Sequence, residues 1–221
     1  FQDPDTGLFK DPTHHEFHTT AHCVAALELF DARPKYPLRA FADLKSKNNL
    51  ESFLDNLDWN GDPWHESQKG AGLYTAMVLS DEVGSDWEDW YFNWLWRETD
   101  PETGLWRKGY ITGGKGRTAP IFHHLAGTFH YLFTLEYARR PFRYPHKIVD
   151  TCLKIYYTRA FPKFDFLYSD QYLRKSSLCS DTTNLISSSE KDGSHGVITL
   201  GRSISFAEID WVYCLNRSCR Q

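Results

Sequence analysis

Ten histidines occur in this chain of 221 residues, and most gather in two short stretches: His14, His15, His18 and His22, then His123, His124 and His130. Imidazole is the side chain whose ordinary pKa lies closest to neutrality, so it can give or take a proton in a reaction at physiological pH. On a helix, His15 and His22 are about two turns apart and share a face, and His123 and His130 have the same spacing. Lining a common cleft, these residues would serve as bases or as positioning groups. The structural alternative is that they hydrogen-bond neighbouring helices. His14, His18 and His22 also follow at i, i+4, i+8, and His18-x-x-x-His22 has the spacing of a zinc-binding helical pair. Thr19 stands where a metalloprotease helix carries glutamate, and no metal or cofactor is assigned from this spacing.

Carboxylates are the second set. Glu28 and Glu136 lie inside apolar helical stretches, where a buried glutamate needs a partner or a raised pKa. Arg33 and Arg140 follow shortly after and are the expected partners. Glu208 and Asp210 sit within Phe206-Ala207-Glu208-Ile209-Asp210-Trp211 and point to different sides of a helix. Glycoside cleavage needs two carboxylates from different elements facing one another across a pocket. Asp210 opposite Glu136 or Glu28 would meet that need. Trp106, Trp64 and Trp59 are candidate stacking platforms at a rim, the alternative being a core rich in large rings.

The elements that would position these groups show an internal match. Asp3-Pro4-Asp5-Thr6-Gly7-Leu8-Phe9 parallels Asp100-Pro101-Glu102-Thr103-Gly104-Leu105-Trp106. Each segment runs into a helical stretch, and at one constant offset His15, Thr20, His22, Leu27 and Glu28 recur as His123, Thr128, His130, Leu135 and Glu136. Arg33-Pro34-Lys35-Tyr36-Pro37 then parallels Arg140-Pro141-Phe142-Arg143-Tyr144-Pro145. In the loops, Asp and Thr make turn hydrogen bonds, Gly supplies a positive φ and the last two residues anchor the turn. The second match has a longer, Gly- and Lys-rich connection over Ile111–Thr118, read as a mobile loop.

Apolar spacing predicts helices throughout. Trp87, Trp90, Tyr91, Trp94 and Leu95 form one stripe. Leu125, Phe129, Leu132 and Phe133 form a second, and Ile148, Val149, Cys152, Leu153 and Tyr156, opened by Pro145, a third. Phe206, Ile209 and Tyr213 mark a last helix. The stretch Phe17–Phe30 is apolar on nearly all sides and is expected to be an inner, buried helix. Leu73, Ala76 and Met77 suggest another after a start at Gly70-Ala71-Gly72. Little strand is expected. The stretch 161–203 is polar and aperiodic, Ser187–His195 most of all, and reads as a long loop or insertion.

The totals bound the function. Apolar residues make up 41% and charged residues 24%, ordinary for a globular domain. Aromatic residues reach 16%, which calls for a ring-rich core or a ring-lined cleft. A net charge of −4 supplies no basic field for nucleic acid or an anionic membrane. No apolar run reaches the roughly 18 residues of a membrane span. The chain opens on Phe1 rather than Met, which implies processing or truncation and leaves any targeting segment out of view. Five cysteines, an odd number, argue against a disulfide framework. Cys23, Cys152 and Cys214 read as buried thiols, which favours a reducing compartment without assigning one. Asn216-Arg217-Ser218 matches a glycosylation sequon but falls in an expected helix. Phosphate-loop, Rossmann and Gly-x-Ser-x-Gly signatures are absent.

Asp100-Pro101-Glu102-Thr103-Gly104-Leu105-Trp106 resembles the Asp-Pro-x-Thr-Gly-Leu-Trp loop of six-hairpin glycosidases, notably the unsaturated glucuronyl and rhamnogalacturonyl hydrolases. Turn-then-helix repeats of this kind also resemble terpenoid-cyclase and prenyltransferase toroids. The terpenoid aspartate-rich motifs are missing. For a zinc-dependent prenyltransferase, Asp150-x-Cys152 is similar to two ligands, with His195 the remaining candidate. The resemblance implies an all-α fold: one domain over 1–221 of helical hairpins in a partial or complete α/α toroid. About four or five hairpins fit, fewer than a closed six-hairpin ring needs. It also implies an enzyme, hydrolase or lyase, acting on a uronic-acid-containing oligosaccharide. Asp210 or Glu136 would be the proton donor, and His123 or His130 the base or positioning residue. Trp106, Trp64, His22, Glu28 and Glu208 would contact substrate. The alternatives are a non-catalytic helical scaffold that binds a protein or glycan, and the zinc-dependent transferase.

Overall fold

The computed structural model describes residues 2–111, 119–158, 160 and 206–221. The connection at 112–118 and the polar stretch at 161–205, including all of Ser187–His195, lie outside the described residues. Within them the chain is all-α. The helices are α1 (Glu16–Leu29), α2 (Lys47–Asp55), α3 (Pro63–Leu79), α4 (Ser85–Glu98), α5 (Ile121–Tyr137), α6 (Pro145–Thr158) and α7 (Phe206–Ser218). A 3₁₀ helix, Arg39–Lys45, leads into α2. The one β-feature among the described residues is an isolated bridge between Gln2 and Phe9. None of the described helices is long and apolar enough to cross a membrane.

Helix starts follow from caps. Asp62 accepts a hydrogen bond from the His65 amide, and Pro63 opens α3. Helix α3 therefore starts well before Gly70-Ala71-Gly72, which lies in mid-helix rather than at the start expected from sequence. His15 Nδ1 caps α1 by accepting from the Phe17 amide, and Ser46 caps α2. The ends of α1, α3 and α5 are alike. Asp31, Asp81 and Arg139 adopt left-handed φ of 53°, 54° and 54°. The next residue in each case bonds back to a helix carbonyl: Ala32 to Leu27, Glu82 to Met77, Arg140 to Leu135. This closure satisfies carbonyls that a helix end would otherwise leave bare.

Helices α1, α3, α5 and α7 pack side by side in that order; α4 packs on α3 and α2, and α6 on α5 and α7. The paired positions rise together. Phe17 meets Gly72 and Arg33 meets Leu79 between α1 and α3; Pro63 meets Gly127 and Gly70 meets Tyr131 between α3 and α5. Leu125 meets Cys214 and Glu136 meets Arg217 between α5 and α7. The four helices thus run parallel, with their N-termini at one end. Gly72 permits the close approach: a Cβ there would stand 2.8 Å from the Phe17 carbonyl oxygen.

The core is aromatic. Trp59, Trp94, Trp106, Tyr74, Tyr91 and Tyr131 are its largest fully buried side chains. The α4 stripe is as read from sequence, with Trp87, Tyr91, Trp94 and Leu95 buried. Other stripes are rotated from their expected faces. On α6 the buried set is Ile148, Cys152 and Ile155, while Leu153 and Tyr156 are exposed; on α7 Asp210, Cys214 and Ser218 are buried and Ile209 is exposed. Helix α1 is not enclosed: Leu29 and Phe30 are largely in solvent. It has α3 as neighbour on one flank and no helix on the other among those described. Cys152 and Cys214 are buried free thiols, whereas Cys23 is only half-buried and Cys219 is exposed.

Candidate functional site

The two Asp-Pro-x-Thr-Gly loops have one hydrogen-bond pattern. In the first, the Asp3 amide bonds the Leu8 carbonyl at 2.8 Å and the Gly7 amide bonds the Asp3 carbonyl at 2.8 Å. In the second, Asp100 and Leu105, then Gly104 and Asp100, make the same bonds at the same distances. Asp3 Oδ1 accepts from the amides of Asp5 and Thr6, and Asp100 Oδ1 from those of Glu102 and Thr103. Each loop then hands its last amide to a helical threonine. Phe9 donates to Thr20 at 2.9 Å and Trp106 to Thr128 at 3.2 Å. These bonds pin the loops against α1 and α5 and account for the matched threonines.

Just beyond the first loop, the N-terminal halves of α1, α3 and α5 gather imidazoles. The Nε2 atoms of His18 and His22 are 3.0 Å apart. The His14 ring lies 5.4 Å from that of His18, and the His130 ring 6.1 Å from it. His130 is held from behind. Ser67 donates its hydroxyl proton to the Trp64 carbonyl at 2.8 Å, and His130 Nδ1 lies 2.8 Å from the same oxygen. With that proton committed, Nδ1–H is the donor to Ser67 and Nε2 keeps its lone pair. His65 is held by Asp62 at 2.8 Å. The His123 ring packs edge-on to half-buried Trp64 at 5.9 Å.

A pocket of about 370 Å³ opens against this row, lined by Phe9, Lys10, Asp11, His14, His18, Thr19, His22 and Cys23. A larger, more open depression of about 540 Å³ lies between the 3₁₀ helix, α2 and α3. Of its ionisable lining groups, Glu66 and Lys69 neutralise one another, and no imidazole lines it.

Burial favours the neutral form of His18, His22, His123 and His130. Burial pushes His18 down to about 4, aided by His22 and His14. Burial pushes His130 down to about 3, and lowers His22 and His123 as well. Asp11 is held well below the usual carboxylate range by hydrogen bonds from Thr13 and Thr19. The pocket therefore presents hydrogen-bonding nitrogens with a fixed anion at its edge.

The structure brings together some of the residues expected from sequence and separates others. His22, His123, His130 and Trp64 lie along the N-terminal halves of α1, α3 and α5. Trp106 does not: its ring is buried, 1% exposed, with Nε1 bonded to the Leu95 carbonyl. It is a core anchor and not a platform, and Trp59 is likewise fully buried. Glu28 is exposed, not buried, and its expected partner Arg33 pairs instead with Asp81 at 3.0 Å. Glu136 is ion-paired with Arg217 and hydrogen-bonded by Tyr213, while Arg140 pairs with Asp89. Glu208 is half-buried on α7. Asp210 is buried on α7 at the end of the Cys214 stripe, and its Oδ2 has no hydrogen-bond partner. Desolvation raises its pKa to about 8, so it is a neutral acid at pH 7.

Sequence reasoning missed Ser67 and the Asp11–Thr13 pair. Nothing in their types marks them; only the fold brings Ser67 to His130. His124, one of the clustered histidines read from sequence, is fully buried with Nδ1 donating to the Trp106 carbonyl at 3.1 Å. Among the described residues no group of three or more His, Cys, Asp and Glu side chains is arranged to hold a metal ion. Comparison with protein-family models, with curated proteins and with solved structures returns no match.

Proposed function

We propose that this chain is a carbohydrate-active enzyme of hydrolase or lyase type, acting on a uronic-acid-containing oligosaccharide at the imidazole-lined end of α1, α3 and α5. The observation that carries the reading is the row His14, His18, His22 and His130, whose first three members line a pocket, with Ser67 joining His130 to the Trp64 carbonyl and His123 packed on the half-buried Trp64 ring. Sugars bind through hydroxyl hydrogen bonds and stacking on a ring face, and both are on offer there. A neutral imidazole can also remove the acidic proton next to a uronate carboxylate, the first step of an elimination. His130 is the base we assign, with His18, His22 and His123 as positioning groups and Trp64 as the stacking ring. The parallel order α1–α3–α5–α7, with α4 and α6 behind, suits an open arc of an α/α toroid, and the two matched loops support a repeat within it.

Elimination suits the site better than two-carboxylate hydrolysis. Glu136 is committed to Arg217 and Tyr213, so it is not a free base. Hydration of an unsaturated uronide is favoured by one specific observation: Asp210 is a protonated acid near neutral pH. Ultraviolet absorbance of the conjugated uronide double bond distinguishes the two directions. Elimination raises it on intact uronate oligosaccharides; hydration lowers it on unsaturated ones. Replacement of His130 by Gln should abolish the first, and Asp210→Asn the second. A flat trace on all uronate substrates would overturn the enzyme reading and leave the helical scaffold.

A further inference from the structure

We infer that the pocket formed by the loop before α1 and the first turns of that helix is a divalent transition-metal site in which His18 and His22 are the two protein ligands. The inference does not depend on the reaction proposed above. Their Nε2 atoms are 3.0 Å apart, one turn of helix from each other, and open on the pocket. Metal–imidazole bonds of about 2.0–2.1 Å to two nitrogens at this separation subtend an angle of about 90–95°. That is the cis angle of a square-planar or octahedral ion; a tetrahedral ion would spread the nitrogens further. The geometry therefore selects Ni²⁺ or Cu²⁺ over Zn²⁺. At present one Nε2 donates to the other; on binding, the donor shifts its proton to Nδ1 and both lone pairs face the ion.

The surroundings suit the ion. Asp11 Oδ1 accepts from the Thr13 hydroxyl at 2.5 Å, and Thr13 Oγ1 lies 2.7 Å from His14 Nδ1. Since the threonine proton is committed to Asp11, His14 Nδ1–H must donate to Thr13 and His14 Nε2 keeps its lone pair. Asp11 Oδ2, bonded by Thr19 at 2.8 Å, adds a negative charge at the pocket edge without entering the coordination sphere. Because only two donors converge, the remaining positions go to water or to oxygens of a bound ligand.

The test is calorimetric titration of untagged, chelator-stripped protein with Ni²⁺ and, separately, Zn²⁺. Ni²⁺ is the probe because it leaves the nearby Cys23 thiol unoxidised. One equivalent should bind, more tightly for Ni²⁺ than for Zn²⁺. His22→Ala, a change at an exposed position that spares the fold, should weaken binding at least about tenfold, as should His18→Ala. His146→Ala, on exposed α6 surface, should leave it unchanged. Circular dichroism shows whether each variant is folded. No binding to the wild-type chain, equal binding by folded His22→Ala, or tighter Zn²⁺ than Ni²⁺ binding would each overturn the inference.

Discussion

The segments Asp3–Arg33 and Asp100–Arg140 carry matched residues and end in different environments. Their loops have the same hydrogen bonds, and α1 and α5 close with the same left-handed residue. Yet α5 packs between α3 and α7, whereas among the described helices α1 packs chiefly on α3. Asp100 is buried where Asp3 stays partly in solvent and pairs with Lys10. Trp106 fills the core where Phe9 lines a pocket. His130 is buried against Ser67 where His22 is exposed, and Glu136 is ion-paired where Glu28 stands in solvent. Local sequence sets the loop and the cap; the number of neighbours decides whether the same side chain becomes core or surface. In α1 the open flank turns the shared histidine position into a pocket wall.

The largest effects should test where the two segments are alike. Gly7 and Gly104 have φ of 78° and 74°. A Cβ at Gly104 would stand 2.8 Å from the Tyr144 carbonyl oxygen, and one at Gly7 would collide with the Pro37 carbonyl. Left-handed strain and overpacking together predict a loss of about 3–5 kcal/mol for Gly104→Ala, and a loss of similar size for Gly7→Ala. Urea unfolding measures both. If Gly7→Ala is cheap, the first loop is not held as the second is, and the likeness fails.

The next effect should separate them. Asp100→Ala strands the Glu102 and Thr103 amides in a buried loop and should cost about 2–3 kcal/mol. Asp3→Ala exposes the same two amides to water and should cost clearly less. Asp3 is held below the usual carboxylate range by those amides. Its contribution is therefore present at neutral pH and fades as acid carries the solution through that lowered pKa. Equal losses from the two substitutions would mean that burial of the second loop contributes nothing.

What was legible in the sequence follows the same division. The loops, the all-α class, the α4 stripe and the His14–His18–His22 register rest on residues close together in the chain, where spacing determines geometry. The exposure of Glu28, the burial of Trp106 and the pairing of Glu136 with Arg217 rest on which helix stands beside which. Periodicity is silent on that. Arg140 and Arg33 were nearer in sequence to their glutamates than the partners found, but both lie past a helix end that turns them toward α4 and the α3 terminus. Ser67 was invisible because a serine in mid-helix carries no signal until the facing histidine is known.

Acid provides a third separation. The folded chain keeps His130 neutral down to about pH 3 and His18 down to about pH 4, whereas the unfolded chain takes up these protons near the ordinary value of about 6.5. The unfolded state thus binds more protons between those limits, and stability must fall as pH drops from about 6.5 toward 4. His130→Gln should flatten this limb of a Tm-against-pH curve. His22→Gln, at the exposed counterpart, should flatten it less. If both variants flatten it equally, burial of the α5 histidine is not what sets its acid response.

The smallest effect concerns the cap the two helices share. Asp31 and Arg139 are exposed residues in the left-handed region, where a Cβ crowds the backbone and glycine does not. Glycine relieves that strain of roughly 1–2 kcal/mol, but its freer unfolded chain takes back part of the gain. A net stabilisation of about 0.5–1 kcal/mol is expected from Arg139→Gly, with a gain of the same sign from Asp31→Gly. The cap bonds, Ala32 to Leu27 and Arg140 to Leu135, are the same in both, so the gain should not depend on whether a helix has one neighbour or two. Calorimetric melting of the two variants decides the point. Gains that agree place the cap with the loops, among features set by local sequence; a gain confined to Arg139→Gly would mean that α1, with its open flank, frays before its cap contributes.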